Sequence, residues 1–349
     1  VKKEALKVFQ IAAVFIGTIV GAGLASGKEI TQFFTSYGYK SFIGIIFCGL
    51  FYIAMCSIMA KISISFNLSS YGEVINVVSP NFLGKITGTI TTLYLISSAS
   101  IILAGSGALL NQFFGIPKIL GTLIMATAAL LALTRETSGL IEVNSFIVPS
   151  LVLVISTILI LYLVFYKDVI TITHLKSLGA QKNNWWLSTI LYSGYNILCC
   201  SGVMVPLSTE MKKTKTMILG ISIGAIGLTL LCMAINLMLM LNQPYIYEYE
   251  IPLLYITNRF GRVIQVVLLA IIWLEMFSTE VSDVYSISKT LDKSFNIKYD
   301  TAIFLVIGLA ILVSQIGFTN LISTLYPMFG VLSLIFISQC LYFYFKKLR

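Results

Sequence analysis

A succession of apolar stretches, each long enough to cross a bilayer, governs what this chain can become. A crossing helix needs about 20 mainly apolar residues, and ten such segments separate at polar or turn-rich breaks. They run from about Leu6 to Tyr37, Ser41 to Ser65, Ile86 to Phe114, Ile119 to Leu133 and Ser138 to Tyr166. Beyond a polar loop come Leu187 to Met211, Met217 to Leu241, Val263 to Thr290, Ala302 to Phe318 and Leu321 to Phe345. Of the 349 residues 58% are hydrophobic and only 11% charged, a balance foreign to soluble domains. The expected fold class is therefore an all-α polytopic membrane protein with ten transmembrane helices. The first segment has no small-residue cleavage pattern and reads as a retained span rather than a signal peptide.

Two of the ten segments are interrupted. Within the first, Val20-Gly21-Ala22-Gly23-Leu24-Ala25-Ser26-Gly27-Lys28-Glu29 sets three glycines and two charges between apolar flanks. Non-helical backbone at membrane depth persists only where protein buries it or where it lines a watery cavity, because lipid cannot satisfy the freed groups. A break here is a binding-site signal, set against the plainer reading that the glycines let helices approach closely. The sixth segment carries Ser193 to Pro206, where Pro206 denies a helical hydrogen bond to Gly202 and crowds its carbonyl. Discontinuous first and sixth helices divide the chain into two sets of five. Because five is odd, the second set enters the membrane from the opposite side, giving a 5+5 inverted repeat of residues 1–166 and 185–349 joined by the loop 167–184. Glu29 and Glu210 follow the two breaks in parallel fashion.

Ten crossings put both termini on one side, and 15 of the 23 Lys and Arg residues fall there. The positive-inside tendency makes that side cytoplasmic, in a multi-pass protein of the cell membrane. The same bias accounts for the net charge of +9 as a basic surface beside anionic lipid, with no sign of nucleic acid as a partner. Trp185 and Trp186 suit an interfacial belt, and Ile251 to Asn258 suits a short helix lying at the surface. The six cysteines sit in apolar segments without metal spacing, so they read as buried hydrophobes rather than disulfide or metal-site partners. His174 falls in a polar loop. No nucleophile and base pair share a polar setting, which disfavours an enzyme and leaves no catalytic residue or cofactor to name. Nothing in the sequence specifies an oligomeric state.

The run from Gly21 to Gly38 resembles the first helix of the amino acid–polyamine–organocation superfamily, and more closely that of bacterial membrane proteins of the YkvI type. That resemblance implies the leucine-transporter fold. It implies a substrate held between spans one and six, walled by three and eight, and often a sodium ion bridging one and eight. Proton-coupled members carry a lysine in the fifth span in place of that sodium. Here the fifth span has Glu142 and Asn144 but no lysine.

Half-helices meeting at mid-membrane aim amide dipoles at anions and carbonyls at cations. The expected substrate site is thus Gly21, Ala22, Gly23 and Leu24 with Tyr195, Asn196, Cys199, Cys200, Ser201 and Gly202, fitting a small amino acid or related amine; ordinary packing is the alternative role for Tyr195. In span eight Glu275, Ser278, Thr279 and Ser282 share a helix face, and Glu280 and Asp283 form a second. A mid-bilayer carboxylate costs about 3 kcal/mol even on the lenient insertion scale, so it needs a cation, a proton or a polar partner. Sodium coupling would use the carbonyls of Val20 and Gly21 with the hydroxyls of Ser278, Thr279 and Ser282, and Glu275 would face the substrate. A neutral Glu275 satisfied by hydroxyls is the other reading. Small residues from Tyr94 to Gly107 suit tight packing first and a pocket wall second. Lys28 and Glu29 are expected to gate an outer vestibule. The functional expectation is a sodium-coupled, less readily proton-coupled, secondary transporter working by alternating access. The competing class is an amino-acid-binding membrane receptor of the spore-germinant type that binds without pumping.

Overall fold

A computed structural model describes residues 2–68, 70–79, 82–134 and 140–348, with the side chains of 2–3, 83, 140–146, 289–290 and 292–295 outside the description. The side chains of Glu142 and Asn144 therefore lie outside the described residues. The described chain is helical throughout. α1 (Lys2–Ile19), α2 (Ala22–Ser26) and α3 (Lys28–Phe33) make up the first span, and a 3₁₀ turn over Thr35–Lys40 leads to α4 (Ser41–Phe66). α5 (Tyr71–Val78) is a short connector before α6 (Phe82–Phe114), α7 (Lys118–Thr134) and α8 (Leu140–Phe165). The second half comprises α9 (Ile172–Ser177), α10 (Trp185–Met211), α11 (Thr214–Met240), α12 (Pro252–Thr257), α13 (Arg262–Phe295), α14 (Tyr299–Ser314) and α15 (Phe318–Lys347).

Seven helices, α4, α6, α8, α10, α11, α13 and α15, are long and apolar enough to cross a membrane; α7 and α14 are shorter apolar helices. With the divided first span, these elements occupy the positions of the ten expected segments. α1 packs on α11 and α10, and α4 packs on the same two helices. α6 and α7 pack on α13 and α14 in the same fashion. Four corresponding pairs thus pack on each other, α1 with α10, α4 with α11, α6 with α13 and α7 with α14, and α15 touches both α10 and α6. Both termini lie at one end of the bundle. There Lys213 Nζ donates to Glu4 at 2.5 Å and Lys61 Nζ to the Tyr344 hydroxyl at 3.0 Å.

The first break is present, and the second is not. α1 ends where Gly21 turns extended (φ −112°, ψ −169°), and Gly27 adopts a left-handed φ of 82° that ends α2 after only five residues. α10 instead runs unbroken from Trp185 to Met211 with Pro206 inside it, which corrects the expectation of a discontinuous sixth helix. Proline removes one hydrogen bond and crowds one carbonyl. Here that carbonyl belongs to Gly202, an exposed residue with nothing within 4 Å of where its Cβ would be, so the helix absorbs the ring without opening. A second correction concerns the surface helix. α12 forms as expected, but Leu253, Leu254 and Ile256 are fully buried because it packs against α11, α13 and α2.

Glycine permits a close helix crossing between α15 and α10. A Cβ at Gly330 of α15 would lie 2.6 Å from the Leu191 carbonyl oxygen and 2.9 Å from its Cα in α10. Backbone cannot give way as a side-chain tip can, so Gly330→Ala is expected to destabilise the protein by about 1–3 kcal/mol. Gly308→Ala in α14, where nothing lies within 4 Å, should be neutral or stabilising by up to about 1 kcal/mol. Thermal unfolding of the two purified variants checks the contrast.

Candidate functional site at the broken first span

The break is held by its own short-range bonds. Val20 N–H donates to Ile16 O at 2.9 Å as the last bond of α1, and Ala25 N–H donates to Gly21 O at 3.0 Å as the first of α2. The Gly21 carbonyl expected to be free is therefore engaged, and the orphan donors are the amides of the first turn of α2. At Gly27, Ser26 Oγ donates to Gly23 O (2.9 Å) and accepts from Lys28 N–H (3.2 Å), while Thr31 Oγ donates to Gly27 O (2.8 Å). These hydroxyls replace the helical bonds that the left-handed glycine interrupts.

Turning the chain at Gly27 folds Glu29 back on α2. A Cβ at Gly23 would lie 2.1 Å from Glu29 Oε1 and 2.4 Å from its Cγ, so the carboxyl fills the space that a side chain at position 23 would take. Glu29 is 3% exposed. The Tyr195 hydroxyl donates to its Oε2 at 2.7 Å. Tyr195 stacks on Tyr326 of α15 with centroids 4.4 Å apart and meets Tyr192 edge-on at 5.4 Å, and Phe33 packs on both α10 tyrosines. A buried acid is thus enclosed by rings from α3, α10 and α15. Neither salt bridge found among the described residues involves it.

The expected gating pair therefore divides. Successive helix residues point about 100° apart, and Lys28 goes the other way, its Nζ donating to Tyr249 O at 2.8 Å. Tyr249 belongs to a segment strapped across the end opposite the termini. Gln112 Nε2 donates to Ile251 O at 2.9 Å while Ile251 N–H donates to Gln112 Oε1 at 3.0 Å. Lys118 pairs with Glu250, and Gln243 Nε2 donates to Thr35 O at 3.1 Å. Leu253 sits directly over Gly27. At the other end Gly202 and Ser282 are exposed and Gly21 is half-buried with open space beside it.

Of the other expected contacts, Ala22, Gly23 and Leu24 are buried at the break. Cys199 bridges to α1, its thiol 3.8 Å from Thr18 O. Cys200 points away, 3.5 Å from Cys56 of α4, and Ser201 donates to Leu198 O within its own helix. Asn196 likewise spends its amide on Tyr192 O at 3.0 Å. In α13, Glu275 and Ser278 are buried, Thr279 Oγ donates to Glu275 O and Ser282 Oγ to Ser278 O. α1, which carries the residues leading to Val20 and Gly21, packs mainly on α11, whereas α13 packs on α6, α14 and α8. The two halves of the expected sodium set are joined through α2, which packs on α13, and through α8, which packs on both α1 and α13. Sequence reading missed Tyr192 and Tyr326: a tyrosine in an apolar helix gives no sign of which face it will share with a distant acid.

Gly23→Ala should cost about 1–3 kcal/mol by overpacking, and Gly23→Ala combined with Glu29→Ala should recover at least half of the loss. Such non-additivity is the mark of direct contact, and denaturation of the single and double variants measures it. Gln112→Ala leaves the Ile251 N–H unpaired, while its C=O keeps the Leu254 N–H at 3.1 Å, and the loss is worth about 1–3 kcal/mol. Amide exchange across Glu250 to Thr257 is expected to accelerate by about 10-fold or more, with α4 unchanged as an internal reference.

No protein-family model matches the sequence. Among solved structures the chain resembles the inward-facing conformation of Mhp1, with a TM-score of 0.68 at 13% identity over 95% of this chain and 76% of that one. A Na⁺-coupled sialic acid symporter aligns with a TM-score of 0.66 at 14% identity over 93% and 75%. These likenesses show the leucine-transporter fold. The Bacillus subtilis protein YyaD is 26% identical over 94% of this chain and 94% of its own length. The uncharacterized membrane protein YkvI of Bacillus subtilis is 31% identical over 95% of this chain and 94% of its own length. The chain is a membrane protein of the YkvI family.

Proposed function

We propose that the protein is a secondary transporter of a small organic ammonium, an amine or an amino acid, which binds where the first span is broken. The observation that carries this reading is Glu29, a buried carboxyl at the break with Tyr195 as its hydrogen-bond donor and aromatic faces around it. An ammonium group supplies what such a site lacks: a charge for the carboxylate and a cation for the tyrosine faces. If the cargo is an amino acid, its own carboxylate finds the first-turn amides of Ala22 to Leu24. Cargo enters from the end bearing the termini, past Cys199, Gly202 and Gly21, while the strap over α2 and α3 closes the other end.

Alternating access then requires the strap to release Lys28 and Gln112 as the opposite end closes. Sodium is the coupling ion in this proposal, held between Val20 and Gly21 on one side and Ser278, Thr279 and Ser282 on the other once α2 brings the two together. The fold neighbours that couple to cations support this reading by analogy. The cell membrane, with cytoplasmic termini, is the proposed location.

A thermal-shift series of amines and amino acids in sodium and potassium buffers, followed by uptake into proteoliposomes, tests the proposal. Glu29→Gln is expected to weaken ammonium binding by about 10- to 100-fold, the worth of a charge-assisted hydrogen bond, and to abolish gradient-driven uptake. Binding that survives Glu29→Gln would sink the site; binding without flux in the wild type would make the protein a receptor instead.

A further inference from the structure

The cage gives Glu29 nothing to balance a negative charge. α3 packs on α2, on the Thr35–Lys40 turn and on α10, α11 and α15. α2 carries no ionisable side chain. The titratable groups that face the carboxyl from the other elements are Tyr192, Tyr195 and Cys199 of α10, Cys232 of α11 and Tyr326 of α15. A phenol or a thiol is neutral or negative and never a cation. The charged residues of the same elements, Lys40, Glu210, Lys215, Lys346 and Lys347, are exposed at the ends of those elements. Lys28, next in sequence, donates to Tyr249 O instead. A carboxylate 3% exposed and without a counter-charge among the described residues is the costly form of this acid.

The same cage suits the neutral acid. The Tyr195 hydroxyl donates to Oε2 at 2.7 Å, and the hydroxyls of Tyr192 and Tyr326 turn to the same carboxyl. A phenol oxygen accepts as well as donates, so these hydroxyls can also take the O–H of a carboxylic acid. On its other side Glu29 is pressed into the space beside Gly23, and the Tyr195 ring is stacked on Tyr326 with centroids 4.4 Å apart. Packed this closely, the acid has room for a proton, and an organic ammonium is admitted only when the stack opens. One carboxyl thus has two ligands, one for each arrangement of its walls.

We propose that Glu29 carries a proton whenever it carries no cargo, so that the protein exchanges one proton for each ammonium it binds. The exchange rests on the ammonium site proposed above; protonation of the closed cage does not. When cargo binds, the O–H bond of the carboxyl breaks and its electron pair stays on the oxygen, giving the carboxylate that pairs with the ammonium. The proton forms a new O–H bond to water, and nothing is oxidised or reduced. The site is neutral overall in both states, so the cage never closes over a bare charge. Proton and cargo compete, each favouring one arrangement of the rings. Sodium accompanies the cargo, and the proton returns in the opposite direction.

Infrared difference spectra of the protein in lipid nanodiscs, recorded from mildly acid to mildly alkaline pH, test the proton without cargo. The carbonyl stretch of a hydrogen-bonded carboxylic acid is expected in the wild type, with one carboxyl's amplitude lost in Glu29→Gln. If that variant does not fold, Tyr195→Phe must shift the band by removing its donor. A spectrum unaltered by Glu29→Gln, or by Tyr195→Phe where that replaces it, overturns the proposal. Tetramethylammonium, whose charge is the same at every pH, and methylammonium then probe the exchange. Binding is expected to weaken about 10-fold for each unit by which pH falls, and to release about one proton per probe into weakly buffered solution, read with an indicator dye. Glu29→Gln should abolish that release. Binding of a probe with no proton released overturns the exchange. Absence of any binding with the Glu29 band intact sinks the ammonium reading and leaves the acid as a proton site, whereas binding with the band absent sinks the proposal and leaves the ammonium reading standing.

Discussion

The carboxyl of Glu29 lies where a side chain at position 23 would be, and the architecture of the first span follows from making that possible. A charged group brought to mid-membrane depth must be enclosed by protein and given a donor. Enclosure comes from the absent side chain of Gly23, and direction from the left-handed Gly27, which turns α3 so that residue 29 points back at α2. The donor is Tyr195 on a helix from the other half of the chain. Remove any one of these and the acid must leave the bundle or find a cation elsewhere. The glycines of this segment therefore do two separate jobs. Gly27 allows the left-handed turn that ends α2, and Gly23 makes room for a carboxyl six residues later.

The two halves of the molecule are related in packing but not in detail. The first four spans of each half pair with their counterparts, yet among the described residues the first span is opened and its counterpart α10 is not. In α10 the glycine and proline that suggested an equivalent break are accommodated, because the weakened hydrogen bond lies on an exposed flank and the remaining face is firmly packed on α4 and α15. The continuous helix is what holds Tyr192 and Tyr195 one turn apart on a single rigid face. A broken α10 would have left the tyrosine cage without its stiffest wall. The asymmetry concentrates backbone polarity in the first span and ring surface in the sixth.

Much of this was legible in the chain because it depends on local chemistry. Span positions follow from runs of apolar residues, and the opening at Gly21 from glycine density in a helix that must cross lipid. The burial of Glu275 follows from its place at the middle of a span. What escaped the sequence depends on direction at a distance. Lys28 and Glu29 are neighbours, and a reading by position alone assigns them one vestibule; only the turn at Gly27 sends one to the strap and the other to the cage. Cys199 and Cys200 divide in the same way, the first towards α1 and the second towards Cys56. The strap segment, polar and rich in tyrosine, reads as surface, but α12 buries its leucines over a glycine that has no side chain to repel them.

Charge is distributed so that these directions matter. Among the described residues the buried acids are Glu29, Glu275, Glu280 and Asp283, and the one buried lysine is Lys28. The lysine is spent on a backbone carbonyl of the strap, so it does not neutralise the acids deeper in the bundle. An interior with this imbalance is stable only when cations or protons complete it, since unpaired charges at this depth cost more than folding can offset. The acids differ in what the bundle supplies them. Glu29 has the Tyr195 hydroxyl as donor and the rings of Phe33, Tyr192, Tyr195 and Tyr326 around it, whereas Glu280 is fully buried with no hydrogen-bond partner on either oxygen. A donor and polarisable ring faces lower the cost of a charge at Glu29, and nothing comparable does so at Glu280, so the unbalanced negative charge of the interior is not borne equally by its acids.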